Sequence, residues 1–402
     1  MCTLPGNPGS GMRGRWPHRP LRANVGAMHD FTPFEMERWQ SLHENDVDYN
    51  LSESGVHPLA VRELLALAGN DVGDVVLGYG HSNGSPELRE AIARLYAGAE
   101  PHNVKVANGS AEANFIALWR LVRPGDEVAI LVPTYMQTYG LASASGARVV
   151  EIPLHEDAGW QPDPDEIRRS IGERTRLVIV TNPSNPTGAI LSDSAREALI
   201  DAAARHGAWL LADEVYIGAE LDGRRTTSFW GSYERVVATG SLSKAYGLPG
   251  LRIGWAVAPP ALTAELWART DYTTISPGTL TDRLATLALD DAVRPQLLGR
   301  TRRILRDGIA SLEAWFEDRG IFEHRRPDAG AICFARYHAD IDSLDLADRL
   351  RREYSVLVVP GAHFGFGRWI RFGYGLPVPQ LRAALGRLGS LLDTVDTATA
   401  AG

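Results

Sequence analysis

Lysine is almost missing from this chain. Only Lys105 and Lys244 occur in 402 residues, so nearly all of the 41 basic residues are arginine. A GC-rich codon bias accounts for the arginines, but any chemistry that needs a primary amine is left with two candidates. Cysteine is equally scarce: Cys2 and Cys333 lie far apart, with no CxxC and no neighbouring histidine pair. That excludes a disulfide framework and a structural zinc site, and it fits a reducing, cytoplasmic setting. No apolar run approaches the roughly 18 to 20 residues of a membrane span. The longest candidates, such as Val178 to Val180 and Trp209 to Ala212, are strand-sized. Positive charge is not in excess either, since 41 Lys and Arg against 49 Asp and Glu leave a net charge of −8. This is the wrong sign for a protein that binds a polyanion, so nucleic acid is set aside as a partner.

What is present suits a soluble globular chain, with 44% apolar and 22% charged residues. At roughly 150 residues per domain the length predicts two to three domains. Residues 1–27 carry Arg13, Arg15, Arg19 and Arg22 with no acidic residue before Asp30 and no apolar core for a secretory signal. They read as a tail, or as an over-extended start with Met12 or Met28 the first residue. Residues 28–75 are expected to join a small domain, 76–293 to form the large domain, and 294–402 the small C-terminal domain.

Pro86 to Ala97 has Pro at its start and apolar residues at helical spacing. Beyond it, helix-like Ala111 to Val122 and Ser192 to His206 interleave with short apolar stretches. These are Glu127 to Val132, Arg148 to Ile152, Leu177 to Thr181, Ala208 to Asp213, Val236 to Thr239 and Arg252 to Ala256. The alternation predicts an α/β fold, a mostly parallel sheet with helices on both faces. From about Arg294, long Arg/Leu/Glu-rich helices with short strands at Val356 to Val359 and Trp369 to Phe372 predict a smaller α+β domain.

Four segments carry chemistry. Ser241-Leu242-Ser243-Lys244 follows a strand, where open α/β sheets bind ligands, and a desolvated lysine with a depressed pKa forms a Schiff base with a carbonyl. Asp213-Glu214-Val215-Tyr216 closes another strand. Read alone, Asp213 equally caps a turn, but a buried carboxylate there needs a partner such as a protonated pyridine. Asn182 to Gly188 holds two Asn-Pro pairs and a glycine in a rigid turn that fixes the asparagine amides. Asn108-Gly109-Ser110-Ala111 opens a helix whose free N–H groups suit a phosphate, although Ser110 by itself equally serves as an N-cap. One ligand carries a carbonyl, a pyridine, a ring hydroxyl and a phosphate together: pyridoxal 5′-phosphate (PLP).

With Gly78-Tyr79-Gly80, Pro133-Thr134-Tyr135, Arg252 and Ile370-Arg371 in the same order, the chain resembles the fold-type I, PLP-dependent aminotransferases of class I/II from about Tyr49 to its last helix. The resemblance implies that Lys244 forms the Schiff base and shuttles a proton, and that Asp213 keeps the pyridine nitrogen protonated. It implies that Asn185 and Tyr216 bond the ring oxygen and that Tyr135 stacks on the ring. Gly109, Ser110, Ala111, Ser241, Ser243 and Arg252 would hold the phosphate. Tyr79 would reach the phosphate of a neighbouring subunit, hence a homodimer, and Arg371 would clamp the substrate carboxylate. Leu51 to Pro58 stands where the family places a substrate-covering segment, bringing Gly55 and Val56 to the substrate beside Asn185 and Arg371. Its Ser/Glu/His content departs from the commoner Asn-rich pattern. His57, His81 and His363 are read as structural more readily than as specificity residues.

The expected activity is a ping-pong transfer of an amino group from an L-α-amino acid to a 2-oxo acid. The alternative is a PLP-dependent lyase or cyclase, eliminating or closing a ring on a modified, possibly guanidino, amino acid. A non-catalytic PLP-binding regulator is remote, because the residues preceding the family-like region are too few for a DNA-binding domain. Arg371 reads only the α-carboxylate, and no second side-chain clamp is visible in the sequence.

Overall fold

The computed structural model describes residues 33–400, so the expected tail at 1–27 lies outside the described residues. Seven strands form the central sheet: β1 (Val104–Ala107), β2 (Glu127–Val132), β3 (Arg148–Pro153), β4 (Thr175–Thr181), β5 (Trp209–Asp213), β6 (Val236–Ser241) and β7 (Gly254–Val257). Their order is β1-β7-β6-β5-β4-β2-β3, with β7 antiparallel to both neighbours and every other pairing parallel. The α/β class with a mostly parallel sheet is therefore as the sequence predicts.

Both faces of this sheet are buried, which is why its strands read as continuous apolar runs rather than alternating ones. Side chains still alternate between faces. Val128, Ile130, Leu177, Ile179 and Leu211 pack on one side with Ala113, Ile116 and Ala117 of helix α2 (Ser110–Leu121), while Ala129, Leu131, Val178, Val180 and Leu210 pack on the other. β1 escapes the sequence reading because Lys105 interrupts its short apolar run.

A four-stranded antiparallel sheet follows: β8 (Phe322–His324), β9 (Ile332–Tyr337), β10 (Val359–Pro360) and β11 (Trp369–Gly373), in the order β10-β11-β9-β8. Helices α3 (Arg294–Arg319) and α4 (Val378–Ala400) pack together beside it. The amino-terminal part joins this region: Tyr49–Asn50 pairs in parallel with Val356–Leu357, and the Trp39 indole of α1 (Glu35–His43) donates to the Val358 carbonyl at 2.9 Å. No described helix is long and apolar enough to cross a membrane.

The topology matters for function because β1, β2, β4, β5 and β6 all end on one edge of the central sheet. Each is followed there by one of the chemical motifs, as expected for an open α/β sheet.

Candidate active site

Past that edge lies a cavity of about 260 Å³, walled by the two sheets and by α1. Lys244, just beyond β6, projects into it. Its Nζ donates to Glu53 Oε1 at 2.8 Å. Burial, the largest single influence, would lower the Lys244 pKa, but the Glu53 carboxylate and then Tyr216 together outweigh it and the net shift is upward. Glu53 in turn is held at about 2, chiefly by the Lys244 charge and against the upward push of its own burial. The depressed pKa expected for Lys244 is thus corrected: a carboxylate that sequence spacing could not place beside it keeps it an ammonium. The lysine whose pKa is depressed, to about 8 by burial, is Lys105, which bonds backbone carbonyls of Ser82 and Val106 and lines no part of the cavity.

Asp213 ends β5 level with Thr181 of β4 and Thr239 of β6, one layer beneath the cavity wall. Its Oδ2 accepts from Asn114 Nδ2 at 2.9 Å, and Asn114 Oδ1 accepts from Thr239 Oγ1 at 2.9 Å. Burial pushes the Asp213 carboxyl up, while the bonds from Asn114 and the Val215 N–H pull it back. Asn114 sits one helical turn inside α2 (Ser110–Leu121), and its orienting role was not legible from the motif.

The anion end is built on close backbone approach. Gly109, at φ +81°, caps α2, and a Cβ there would collide with the Arg252 guanidinium. A Cβ on Gly254 would likewise strike the Ser110 amide. Ser110 and Ala111 at the α2 N-terminus, Ser241, Ser243 and Arg252 all line this end of the cavity, a donor set suited to a phosphate. Tyr135 and Tyr216 line the middle. The Tyr135 hydroxyl donates to Glu37 at 3.1 Å, and burial raises both phenols.

At the opposite end Arg371, on β11, is 1% exposed. Its Nη1 donates to Asn185 Oδ1 at 2.9 Å and its Nη2 to the Ser52 carbonyl, while its Nε has no acceptor. None of these partners is an anion. The turn after β4 divides its amides: Asn182 Oδ1 accepts the Leu191 N–H at 3.0 Å and holds the turn, leaving Asn185 to the cavity.

Gly55 and Val56 stand behind the wall rather than in it. A Cβ on Gly55 would lie 3.5 Å from Lys244 Cδ, and Val56 is core. Glu53 and Ser54 face the cavity in their place. Tyr79, 90% exposed, lines no part of its own chain's cavity, and neither do His57, His81 and His363. His57 Nδ1 meets the Gly375 carbonyl at 3.1 Å. The residues that sequence reasoning missed come from α1 and its end, where Glu37, Gln40 and the C-cap residue Glu44 line the cavity.

A carbonyl-reactive amine, a buried carboxylate and a phosphate cradle at one strand-end crevice fit PLP. The family model for aminotransferase class I and II matches residues 39–388. The chain belongs to this family. It is a PLP-dependent enzyme of fold type I. Capreomycidine synthase of Streptomyces vinaceus is 36% identical over 370 residues, 89% of this chain and 93% of the relative. Among solved structures, a PLP-dependent aminotransferase from Streptococcus suis is 33% identical with TM-score 0.86, covering 91% of this chain and 99% of that one. The PLP-dependent cyclase OrfR is 29% identical with TM-score 0.83, covering 92% and 99%. This class I/II enzyme is thus similar both to an aminotransferase and to a cyclase.

Proposed function

We propose that the enzyme is an aminotransferase that moves the amino group of an L-α-amino acid to a 2-oxo acid in two half-reactions at one site. The observation that carries this reading is that Lys244 and the anion-free Arg371 open into a single cavity. PLP supplies there an electrophilic carbonyl and a ring that accepts electrons from the substrate's α-carbon.

Lys244 Nζ is the amine that meets that carbonyl, and once freed it is the base that carries the α-proton. Asp213, held by Asn114, keeps a proton on the pyridine nitrogen. Asn185, whose NH₂ is not used by Arg371, and the Tyr216 hydroxyl donate to the ring oxygen. Ser110, Ala111, Ser241, Ser243 and Arg252 take the phosphate, with Gly109 giving Arg252 room, and Tyr135 covers the ring. Arg371 takes the α-carboxylate through its fork. The exposed Tyr79 acts at the phosphate of a partner subunit, so the working form is a homodimer, placed in the cytoplasm by its composition.

A second reading, elimination or ring closure on the amino-acid side chain, is favoured by Glu53. It adds a titratable group 2.8 Å from the Lys244 amine, a second proton carrier that transamination does not require. The names of capreomycidine synthase and the OrfR cyclase point the same way. The two readings separate when the PLP-loaded enzyme is mixed with a panel of amino acids, with and without a 2-oxo acid, and products are followed by mass spectrometry. Release of the donor's oxo acid, with amination of the added one, supports transamination. Loss or cyclisation of the side chain without any oxo-acid requirement refutes it in favour of the second reading.

A further inference from the structure

We propose that the acidic face that α1 and Glu53 turn to the cavity selects amino acids whose side chain ends in a cation, a guanidinium or an ammonium. This rests on the reading above in one respect, that Arg371 takes the α-carboxylate.

Three carboxylates and three cations line the cavity: Glu37, Glu44 and Glu53 against Lys244, Arg252 and Arg371. Each cation has work that removes it from the balance. Arg252 stands at the phosphate cradle, Arg371 awaits a carboxylate, and Lys244 must give up its Glu53 partner to react with a carbonyl. With those duties met, three carboxylates face one space and no side chain of this cavity neutralises them. Their mutual repulsion is already visible. Glu44 is pushed up by its partial burial and then by the charges of Glu53 and Glu37.

The α1 glutamates are not placed there as an incidental solvent face. Glu37, Gln40 and Glu44 recur at the three- and four-residue spacing of one helical face, and that face lines the cavity, whereas Arg38 of the same helix does not. An independent observation asks for a ligand of both signs. Arg371 is 1% exposed, its Nε lacks any acceptor, and its three bonded partners, Asn185, the Ser52 carbonyl and Met36, are neutral. A molecule that carries both a carboxylate and a cation satisfies the guanidinium and the acidic face together. Because a guanidinium offers five donors in a planar fork, several carboxylates can share it, while an ammonium serves as a point charge.

The test is a binding titration of the PLP-loaded enzyme, read by the change in its visible absorption. It pairs L-arginine with its neutral isostere L-citrulline and L-lysine with L-norleucine. Each cation is expected to bind at least about tenfold more tightly than its neutral partner, roughly 1.4 kcal/mol. Tighter arginine assigns a guanidinium, tighter lysine an ammonium. The exposed double variant Glu37→Gln/Glu44→Gln should loosen the cationic members about tenfold and leave the neutral ones within about twofold. Equal binding of charged and neutral partners, or a preference that survives the double variant, overturns the proposal while leaving the Arg371 reading intact. Failure of every amino acid to change the spectrum overturns that reading as well.

Discussion

The Lys244–Glu53 pair sets how readily the protein takes up its cofactor, and Glu53→Gln tests this. At 2.8 Å, with an effective dielectric constant near 20, the pair's Coulomb energy is about 6 kcal/mol. The Glu53 side chain is 44% exposed, so solvent screening reduces the effective interaction to about 1–3 kcal/mol. Removing the carboxylate takes away the main opposition to burial, which lowers the Lys244 pKa. Below that pKa the free-amine fraction rises by the same factor as the interaction lost, roughly ten- to a hundredfold at about 1.4 kcal/mol per decade. Apoprotein of Glu53→Gln, mixed with PLP across a pH series, should therefore develop its visible band that much faster near neutrality. The rise of rate with pH should be displaced to lower pH. The sign for stability is opposite. Glu53 is depressed from 4.5 to about 2, so its contribution is present above about 4.5 and lost as pH falls towards 2. The wild type should lose its stability advantage over the variant in that window. An uptake profile that stays in place, or moves to higher pH, would refute the assignment of Glu53 as the group that holds Lys244 charged.

Four further outcomes are expected. Lys244→Ala abolishes turnover and the visible band while the protein still sediments as the folded wild-type species, and retained activity would remove Lys244 from the mechanism. Gly109→Ala drives a Cβ into the Arg252 guanidinium and strains φ +81°, so the PLP dissociation constant measured by dialysis rises about tenfold. Arg371→Lys loses the planar fork, so half-saturation by any amino acid rises about tenfold or more while the PLP spectrum persists. Asn114→Ala removes the bond that lowers the Asp213 pKa, so Asp213 stays protonated to a higher pH and the acid limb of kcat/KM shifts upward. An unmoved acid limb would show that Asn114 only fills space.

The α/β class was legible because buried parallel strands announce themselves as apolar runs between helices, and β2 to β6 all appear where those runs lie. The cavity residues were legible for a related reason: Ser110, Asn185, Tyr216 and Lys244 each follow a strand end, and strand order brings such ends to one edge. What the sequence hid is whatever depends on packing between distant segments. Glu53 and Lys244 are 191 positions apart, so the carboxylate that reverses the lysine's expected shift has no local signature. Glu37 and Glu44 look like the outer charges of any short helix until α1 is seen to turn that face to the cavity. Gly55 and Val56 pass behind the wall, Gly55 against the Lys244 stem and Val56 into the core, a placement set by packing against distant segments.

The near absence of lysine then acquires a physical sense that composition alone does not supply. With Lys105 held by backbone carbonyls, the cavity contains one amine, and that amine has two claims on it: the Glu53 carboxylate in the state seen here and a carbonyl in the loaded enzyme. Nζ cannot serve both, because a nitrogen bonded to the carbonyl carbon no longer stands as a free ammonium at Glu53. Loading the enzyme therefore releases a carboxylate into a space already bordered by Glu37 and Glu44. The same event that makes Lys244 reactive makes the acidic face of the cavity more negative, so recognition of a cationic side chain should be stronger in the PLP-loaded protein than in the apoprotein. Calorimetric titration of L-arginine into both forms measures that difference directly, and equal affinities would break the link between the two roles of Glu53.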